Sequence, residues 1–138
     1  MLIATDTDAV ADEIDAALAD NDTTVVRVRA GAEVADAVDV NVPDLVVLDL
    51  QIGNMGGMAV AMHLRSESAM GRLPHAAILM LLDRDADTFL AKRSDVDGWI
   101  IKPLDSFRLR RAAKALLAGD TFTESGAAET VPAVAPAE

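Results

Sequence analysis

Uninterrupted apolar stretches alternate along the chain with stretches in which apolar residues recur every three or four positions. The uninterrupted stretches predict buried strands, and the periodic stretches predict helices. The apolar stretches are Leu2–Thr5, Leu45–Leu48, Ala76–Leu82 and Trp99–Ile101. A fifth strand is predicted at Thr23–Val28, because this segment is rich in β-branched residues. Predicted helices follow them at about residues 8–18, 33–40, 58–68, 86–93 and 106–118. Strict alternation of this kind predicts an α/β fold with a five-stranded parallel sheet and helices on both faces.

The length of 138 residues suits one domain followed by a short tail. We assign residues 1–118 to the domain. Residues 119–138 are rich in Ala, Pro, Thr and Glu and have no periodicity, so they predict a disordered tail. At the last helix, Ser106 is expected to be the N-cap and Gly119 to end the helix.

The composition excludes several classes of protein. A net charge of −11 repels a phosphate backbone and argues against direct nucleic-acid binding. The absence of cysteine excludes disulfides, thiol catalysis and cysteine-based zinc sites. No apolar stretch approaches the roughly 20 residues needed to span a membrane, and no basic segment opens a signal peptide. We therefore expect a cytoplasmic protein without membrane attachment.

Three of the predicted strands are followed by a charged residue. Asp6 follows the first strand, Asp49 the third and Lys102 the fifth. Ligands of open α/β sheets bind at the carboxyl ends of the strands. These positions therefore predict one pocket that contains two carboxylates and an ammonium group.

Together these residues resemble the receiver domain of two-component response regulators. The resemblance covers about residues 1–118 and rests on Asp6, Asp49, Lys102-Pro103, the order of the elements and the loop between Asp49 and Gly57. The interval from Asp49 to Lys102 also fits this family. The resemblance implies a CheY-like, flavodoxin-like (βα)5 doubly wound sandwich. It also implies a role in phosphorelay signal transduction rather than enzymatic activity.

The same resemblance implies roles for the residues of the pocket. Asp49 would accept a phosphoryl group from a histidine kinase, because a carboxylate can form an acyl phosphate. Asp6, Asp49 and the backbone carbonyl of Gln51 would bind Mg²⁺, a hard cation that prefers oxygen ligands. Lys102 would contact the phosphoryl oxygens. The Lys102-Pro103 bond is expected to be cis, as it often is in this family.

The chain departs from the family pattern next to the first strand. Most receivers carry two adjacent acids there, whereas Asp6 is followed by Thr7. We expect Thr7 to take the place of the acid that contacts the metal, so that Mg²⁺ binding is weakened or lost. Asp8 has two interpretations, as an additional metal-side acid and as the N-cap of the first helix.

A second departure concerns the residues that receivers use as switches. Leu82 is expected at the position of a Ser or Thr that hydrogen-bonds the phosphoryl group, and Asp83 beside it adds negative charge. Trp99 occupies the position of an aromatic switch residue. Its alternative interpretation is an anchor in the core or in an interface.

The sequence thus predicts a stand-alone atypical receiver that acts through protein contacts with a histidine kinase or another signalling protein. An alternative is a pseudo-receiver that binds its partner without phosphorylation. A homodimer through the last helices would pair their basic residues with Asp95 or Asp97 of a second copy. The alternative is that these basic residues form a solvated face: Arg108, Arg110, Arg111 and Lys114. A remote alternative is a haloacid-dehalogenase-like phosphohydrolase, with Asp6 as nucleophile and Asp8 as general acid.

Overall fold

The fold is a parallel sheet between two layers of helices, seen in a computed structural model that describes residues 1–124. The strands are β1 Leu2–Ala4, β2 Val26–Val28, β3 Leu45–Asp49, β4 Ala77–Leu82 and β5 Gly98–Ile101. The helices are α1 Asp8–Leu18, α2 Val34–Asn41, α3 Gly57–Ala69, α4 Thr88–Arg93 and α5 Ser106–Leu117. Short 3₁₀ turns precede α2 and α4, at Gly31–Glu33 and Asp85–Asp87. Within the described part of the chain, no helix is long and apolar enough to cross a membrane.

The strand order is β2-β1-β3-β4-β5 with all neighbours parallel, which confirms the predicted flavodoxin-like doubly wound sheet. Successive residues of the central strands point to opposite faces. Leu48 and Met80 pack with α2 and α3, whereas Val47 and Leu79 pack with α1 and α5. Both faces are therefore buried, which explains why these strands carry continuous apolar runs.

Two predicted helix caps are wrong, each by one residue. Thr7 rather than Asp8 is the N-cap of α1, and Asp8 is the first residue of the helix. Asp105 rather than Ser106 caps α5, because Asp105 has an extended backbone and its side chain accepts a hydrogen bond from the Arg108 amide at 2.9 Å.

The first residues of the predicted tail are hydrogen-bonded to the sheet. The Phe122 carbonyl accepts from the Trp99 amide at 2.9 Å, and the Phe122 amide donates to the Asp97 carbonyl at 3.3 Å. A disordered tail is therefore the wrong description for residues 120–124. The rest of the predicted tail, residues 125–138, lies outside the described residues, and the prediction for it stays a prediction.

Val42 ends α2 in a conformation that its side chain disfavours. It adopts φ 44° and ψ 59°, in the left-handed region, where a β-branched residue is an outlier. Its side chain is exposed, so little packing is lost on its removal. We expect Val42→Gly to raise the free energy of unfolding by about 1 kcal/mol, measured by urea titration.

Val40→Gly is the matched control, because Val40 is an exposed residue within the same helix. It should lower the free energy of unfolding by about 0.5 kcal/mol, since glycine weakens a helix. A loss of stability in both variants would show that the left-handed conformation of Val42 costs nothing.

Candidate functional site

Asp49 lies at the carboxyl end of β3, and its side chain is almost completely buried. Three donors hold its carboxylate. Oδ1 accepts from Lys102 Nζ at 3.0 Å and from the Gln51 amide at 3.0 Å. Oδ2 accepts from the Thr5 hydroxyl at 2.7 Å. A buried carboxylate is stable when it is paired and hydrogen-bonded in this way. The structure therefore brings Asp49 and Lys102 together, as the strand ends predicted.

Lys102 is shared between two carboxylates. Its Nζ lies 2.8 Å from Asp83 Oδ1 as well as 3.0 Å from Asp49 Oδ1. Burial alone lowers the pKa of Lys102, but hydrogen bonds and charges from Asp83 and Asp49 outweigh burial and raise the pKa overall. The lysine therefore stays charged. Its single positive charge faces two acidic side chains.

Leu82 is the last residue of β4 and is followed directly by Asp83. Its side chain is fully buried in the layer with α2 and α3, and it has no group that could bind a phosphoryl oxygen. Its backbone carbonyl accepts from the Lys102 amide at 2.8 Å. The peptide bond that follows, Lys102-Pro103, is cis, which confirms the expectation.

The residue pair that reaches the Asp49 region from β1 is Thr5 and Asp6, not Asp6 and Thr7. The Thr5 hydroxyl contacts Asp49 directly, and Asp6 Oδ2 accepts from the Gly53 amide at 3.1 Å. Thr7 is instead the N-cap of α1, and its hydroxyl donates to Asp6 Oδ1 at 3.4 Å. The prediction failed because β1 ends at Ala4, one residue earlier than expected, so Thr5 belongs to the pocket.

Asp8 is engaged by two arginines at the β2 side of the sheet. Its Oδ1 lies 2.7 Å from an Nη1 atom of Arg27 and 2.7 Å from one of Arg29. Hydrogen bonds from Arg27 and Arg29 lower the pKa of Asp8. The two arginines occupy the Asp8 carboxylate, which disfavours a metal-side role. A carboxylate that stays ionised in two ion pairs does not suit the role of a phosphohydrolase's general acid.

The loop between β3 and α3 is fixed by the turn that precedes α2. The amide of Gly31 donates to the Gly53 carbonyl at 2.9 Å, and the amide of Ala32 donates to the Asn54 carbonyl at 2.8 Å. A Cβ at residue 31 would lie 1.9 Å from the Met55 carbonyl oxygen, so only glycine allows this approach. The loop that contains Gln51 is thereby tied to the turn that precedes α2.

Mg²⁺ prefers oxygen ligands, and the pocket offers them from Asp6, Asp49 and the Gln51 backbone carbonyl. This cation is commonly bound by one or two carboxylates and completes its coordination with water. Among residues 1–124, no three His, Cys, Asp or Glu side chains form a group that could hold a metal ion. The two carboxylates and the carbonyl therefore fit Mg²⁺ by their chemistry, and the Thr5 hydroxyl, a neutral group, contacts Asp49 beside them.

Trp99 is buried and lies on β5, where its indole Nε1 donates to the Glu124 carbonyl at 2.8 Å. Its ring belongs to the core layer with α2 and α3, as its interpretation as a core anchor requires. The contribution of Glu124 was missed in the sequence because the residue lies in a non-periodic segment. Phe122, an aromatic residue within that segment, was the one sign in the sequence that the segment packs against the domain.

Two of the basic residues of α5, Arg108 and Arg111, have partners within the chain. Arg108 pairs with Asp105 and Glu124, and Arg111 stacks over the rings of Phe107 and Phe122. Asp97, which was a candidate partner for a second copy, pairs with Arg65 at 2.5 Å. A homodimer through these charges stays a prediction.

Known proteins with the same sequence pattern are signalling proteins. The chain matches the family model of the response regulator receiver domain over residues 1–114. It is 29% identical over 90 residues to the nitrate/nitrite response regulator NarL of Escherichia coli, which is 65% of this chain and 39% of NarL. It is 34% identical over 96 residues to an uncharacterized response regulatory protein of Mycobacterium tuberculosis, which is 70% of this chain and 69% of that protein. The match to NarL thus spans well under half of the length of that protein.

Solved structures share the fold. A putative response regulator from Chloroflexus aurantiacus superposes with a TM-score of 0.76 at 24% sequence identity, over 85% of this chain and 95% of that chain. At this identity the likeness shows the fold alone.

Proposed function

This chain belongs to the response regulator receiver domain family, and from that premise we propose that Asp49 accepts a phosphoryl group from a histidine kinase. Receiver domains are signalling modules that interact with histidine kinases and other signalling proteins, and they typically bind Mg²⁺ in an acidic pocket. The observation that carries the proposal is the 3.0 Å contact between Lys102 Nζ and the buried Asp49 carboxylate. It joins a nucleophile to a fixed positive charge at the carboxyl edge of the sheet.

In the proposed reaction, an Asp49 carboxylate oxygen attacks the phosphorus atom of a phosphohistidine. The new P–O bond replaces the P–N bond, and the electron pair of the broken bond returns to the histidine nitrogen. Lys102 supplies positive charge to the phosphoryl oxygens, and the Thr5 hydroxyl and the Gln51 amide keep Asp49 oriented.

Asp6, Asp49 and the Gln51 carbonyl would bind Mg²⁺, which would neutralise charge on the transferred group. Because only two of these three ligands are carboxylates, we expect weaker Mg²⁺ binding than a site with three carboxylates would give.

A second candidate function is a constitutive protein-binding module that does not use phosphorylation. Three observations favour it: Asp83 competes for Lys102, Leu82 offers no hydroxyl, and the residue that contacts Asp49 from the end of β1 is a threonine, Thr5, rather than an acid. The first reduces the positive charge that Lys102 offers to a phosphoryl group, the second removes a hydrogen-bond donor, and the third leaves one carboxylate fewer for a metal ion. Neither candidate requires the chain to bind nucleic acid.

Titration with beryllofluoride and Mg²⁺, followed by the fluorescence of Trp99, separates the two candidates. Trp99 is the only tryptophan of the chain, so the signal has one source. A phosphoryl-accepting receiver should give a saturable change that requires both Mg²⁺ and beryllofluoride. No change at millimolar Mg²⁺, together with no mass increase after incubation with acetyl phosphate, would contradict the proposal and favour the constitutive module.

A further inference from the structure

Residues 120–124 form a strap that lies along β5, the strand at one edge of the sheet. Its Phe122 pairs with Gly98 in a parallel bridge, accepts from the Trp99 amide at 2.9 Å and donates to the Asp97 carbonyl at 3.3 Å. An edge strand presents backbone groups that another strand can bind. The strap therefore occupies a position that an added strand would take.

Glu124 occupies a carboxylate site built by β5 and α5. Its Oε1 accepts from the Ile101 amide at 2.9 Å and from Arg108 Nη1 at 2.6 Å, and its backbone carbonyl accepts from the Trp99 indole at 2.8 Å. Arg108 is held in turn by Asp105, with Nε 2.7 Å from Oδ2. The receiving groups belong to a strand and a helix, so they are positioned independently of the strap.

We propose that the β5 edge, with Trp99 and Arg108, is a binding site for an extended acidic segment of a partner protein, and that the strap is its intramolecular occupant. The contacts of the strap define the ligand. Backbone groups of Phe122 and Glu124 make bonds that any extended chain can make, as in strand addition to a sheet edge. Only the Phe122 ring and the Glu124 carboxylate add selectivity, so the partner needs an aromatic residue followed by an acid two positions later.

Charge favours the same kind of partner. The chain has a net charge of −11, yet Arg108 and Arg111 lie beside the strap, with Arg111 over the Phe122 ring at 5.7 Å. An acidic segment would therefore find local positive charge on an otherwise repulsive surface. This site accounts for basic residues of α5 that phosphoryl transfer does not use.

The strap competes with any partner because it is attached close to the site. Helix α5 ends at Leu117, and Gly119, with φ 88°, turns the chain toward β5. A tethered ligand on so short a connection acts at an effective concentration in the millimolar range. A partner must therefore bind more tightly than the strap, or the strap must first be displaced. The inference does not depend on phosphorylation of Asp49.

The test uses the full chain with a weakened strap, Phe122→Gly combined with Glu124→Gln, and a fluorescent peptide with the sequence of residues 119–124. We expect the variant to bind the peptide about tenfold more tightly than the unmodified chain, because the internal competitor is weakened. A peptide with glutamine in place of its glutamate should bind about tenfold more weakly. Adding Arg108→Gln to the variant should have a similar effect.

Further variants keep the inference falsifiable. If the double variant fails to fold, Glu124→Gln alone can replace it, because this variant keeps Phe122 in place. It should also bind the peptide more tightly than the unmodified chain. Gly98→Ala should abolish peptide binding, because its Cβ would lie 2.4 Å from the strap's Phe122 carbonyl oxygen and would exclude any chain at that position. No peptide binding by folded strap variants, or binding indifferent to the glutamate, would overturn the proposal. Concentration-dependent dimerisation without peptide binding would also overturn it, in favour of a second copy as the occupant.

Discussion

Replacing Asp49 with asparagine is expected to abolish phosphoryl acceptance while the protein stays folded. The amide is not nucleophilic enough to attack phosphorus, so no acyl phosphate can form. Its oxygen can still accept from the Gln51 amide and from Lys102, and Lys102 keeps its second partner, Asp83. Intact-mass measurement after incubation with acetyl phosphate and Mg²⁺ should show no added phosphoryl group. Urea unfolding should remain cooperative.

Asp83→Asn is the matched variant, with the opposite expected sign. It removes one of the two carboxylates that share Lys102 but leaves the Asp49–Lys102 contact intact. More of the lysine's charge then acts on the phosphoryl oxygens, and we expect phosphorylation to be about tenfold faster. Slower phosphorylation would show that Asp83 assists the reaction. Phosphorylation of Asp49→Asn at an unchanged level would place the acceptor elsewhere in the chain.

Gly57→Ala is expected to lower the free energy of unfolding by about 3 kcal/mol, since overpacking of rigid backbone is costly. A Cβ at this first residue of α3 would lie 2.7 Å from the Leu50 Cα and 2.8 Å from the Asp49 carbonyl oxygen. Neither atom can move without displacing the end of β3. The variant should therefore also slow phosphorylation of Asp49. Urea titration and the acetyl phosphate assay measure the two effects.

Gly56→Ala is the neighbouring control. Its added Cβ would meet nothing closer than the Leu50 carbonyl oxygen at 4.0 Å, and its φ of −60° suits any residue. We expect a loss below about 1 kcal/mol, from the poorer N-cap. Equal losses in Gly56→Ala and Gly57→Ala would show that the close contact with β3 does not constrain the loop.

The fold and the central ion pair could be predicted from the sequence because their signals are local. Continuous apolar runs mark strands that are buried on both faces, and the charged residues Asp49 and Lys102 follow two such runs directly. Parallel strands bring their carboxyl ends to one edge. The contact between these side chains therefore follows from the order of the elements.

The role of Thr5 could not be predicted, because strand ends are uncertain by a residue or two in sequence patterns. A threonine suits a strand as well as a pocket, and a shift of one position exchanged Thr5 for Thr7. The strap was missed for a different reason. Its pairing with β5 depends on tertiary contacts across about 25 residues of chain, such as Trp99 to Glu124, and local composition does not encode them.

The ion pairs of Asp8 with Arg27 and Arg29 have a consequence for self-association. They place charged side chains at β2, the opposite edge of the sheet from β5, and charges at an edge discourage pairing with another sheet. In a molecule whose strap is displaced, the β5 edge is therefore free to pair, whereas the charges at the β2 edge disfavour pairing there. If only one edge can pair, assembly stops at two chains, because both available edges are then used. A fibre can grow only if both edges of each chain can pair. The charges at the β2 edge thus limit any edge-to-edge assembly of this domain to a dimer.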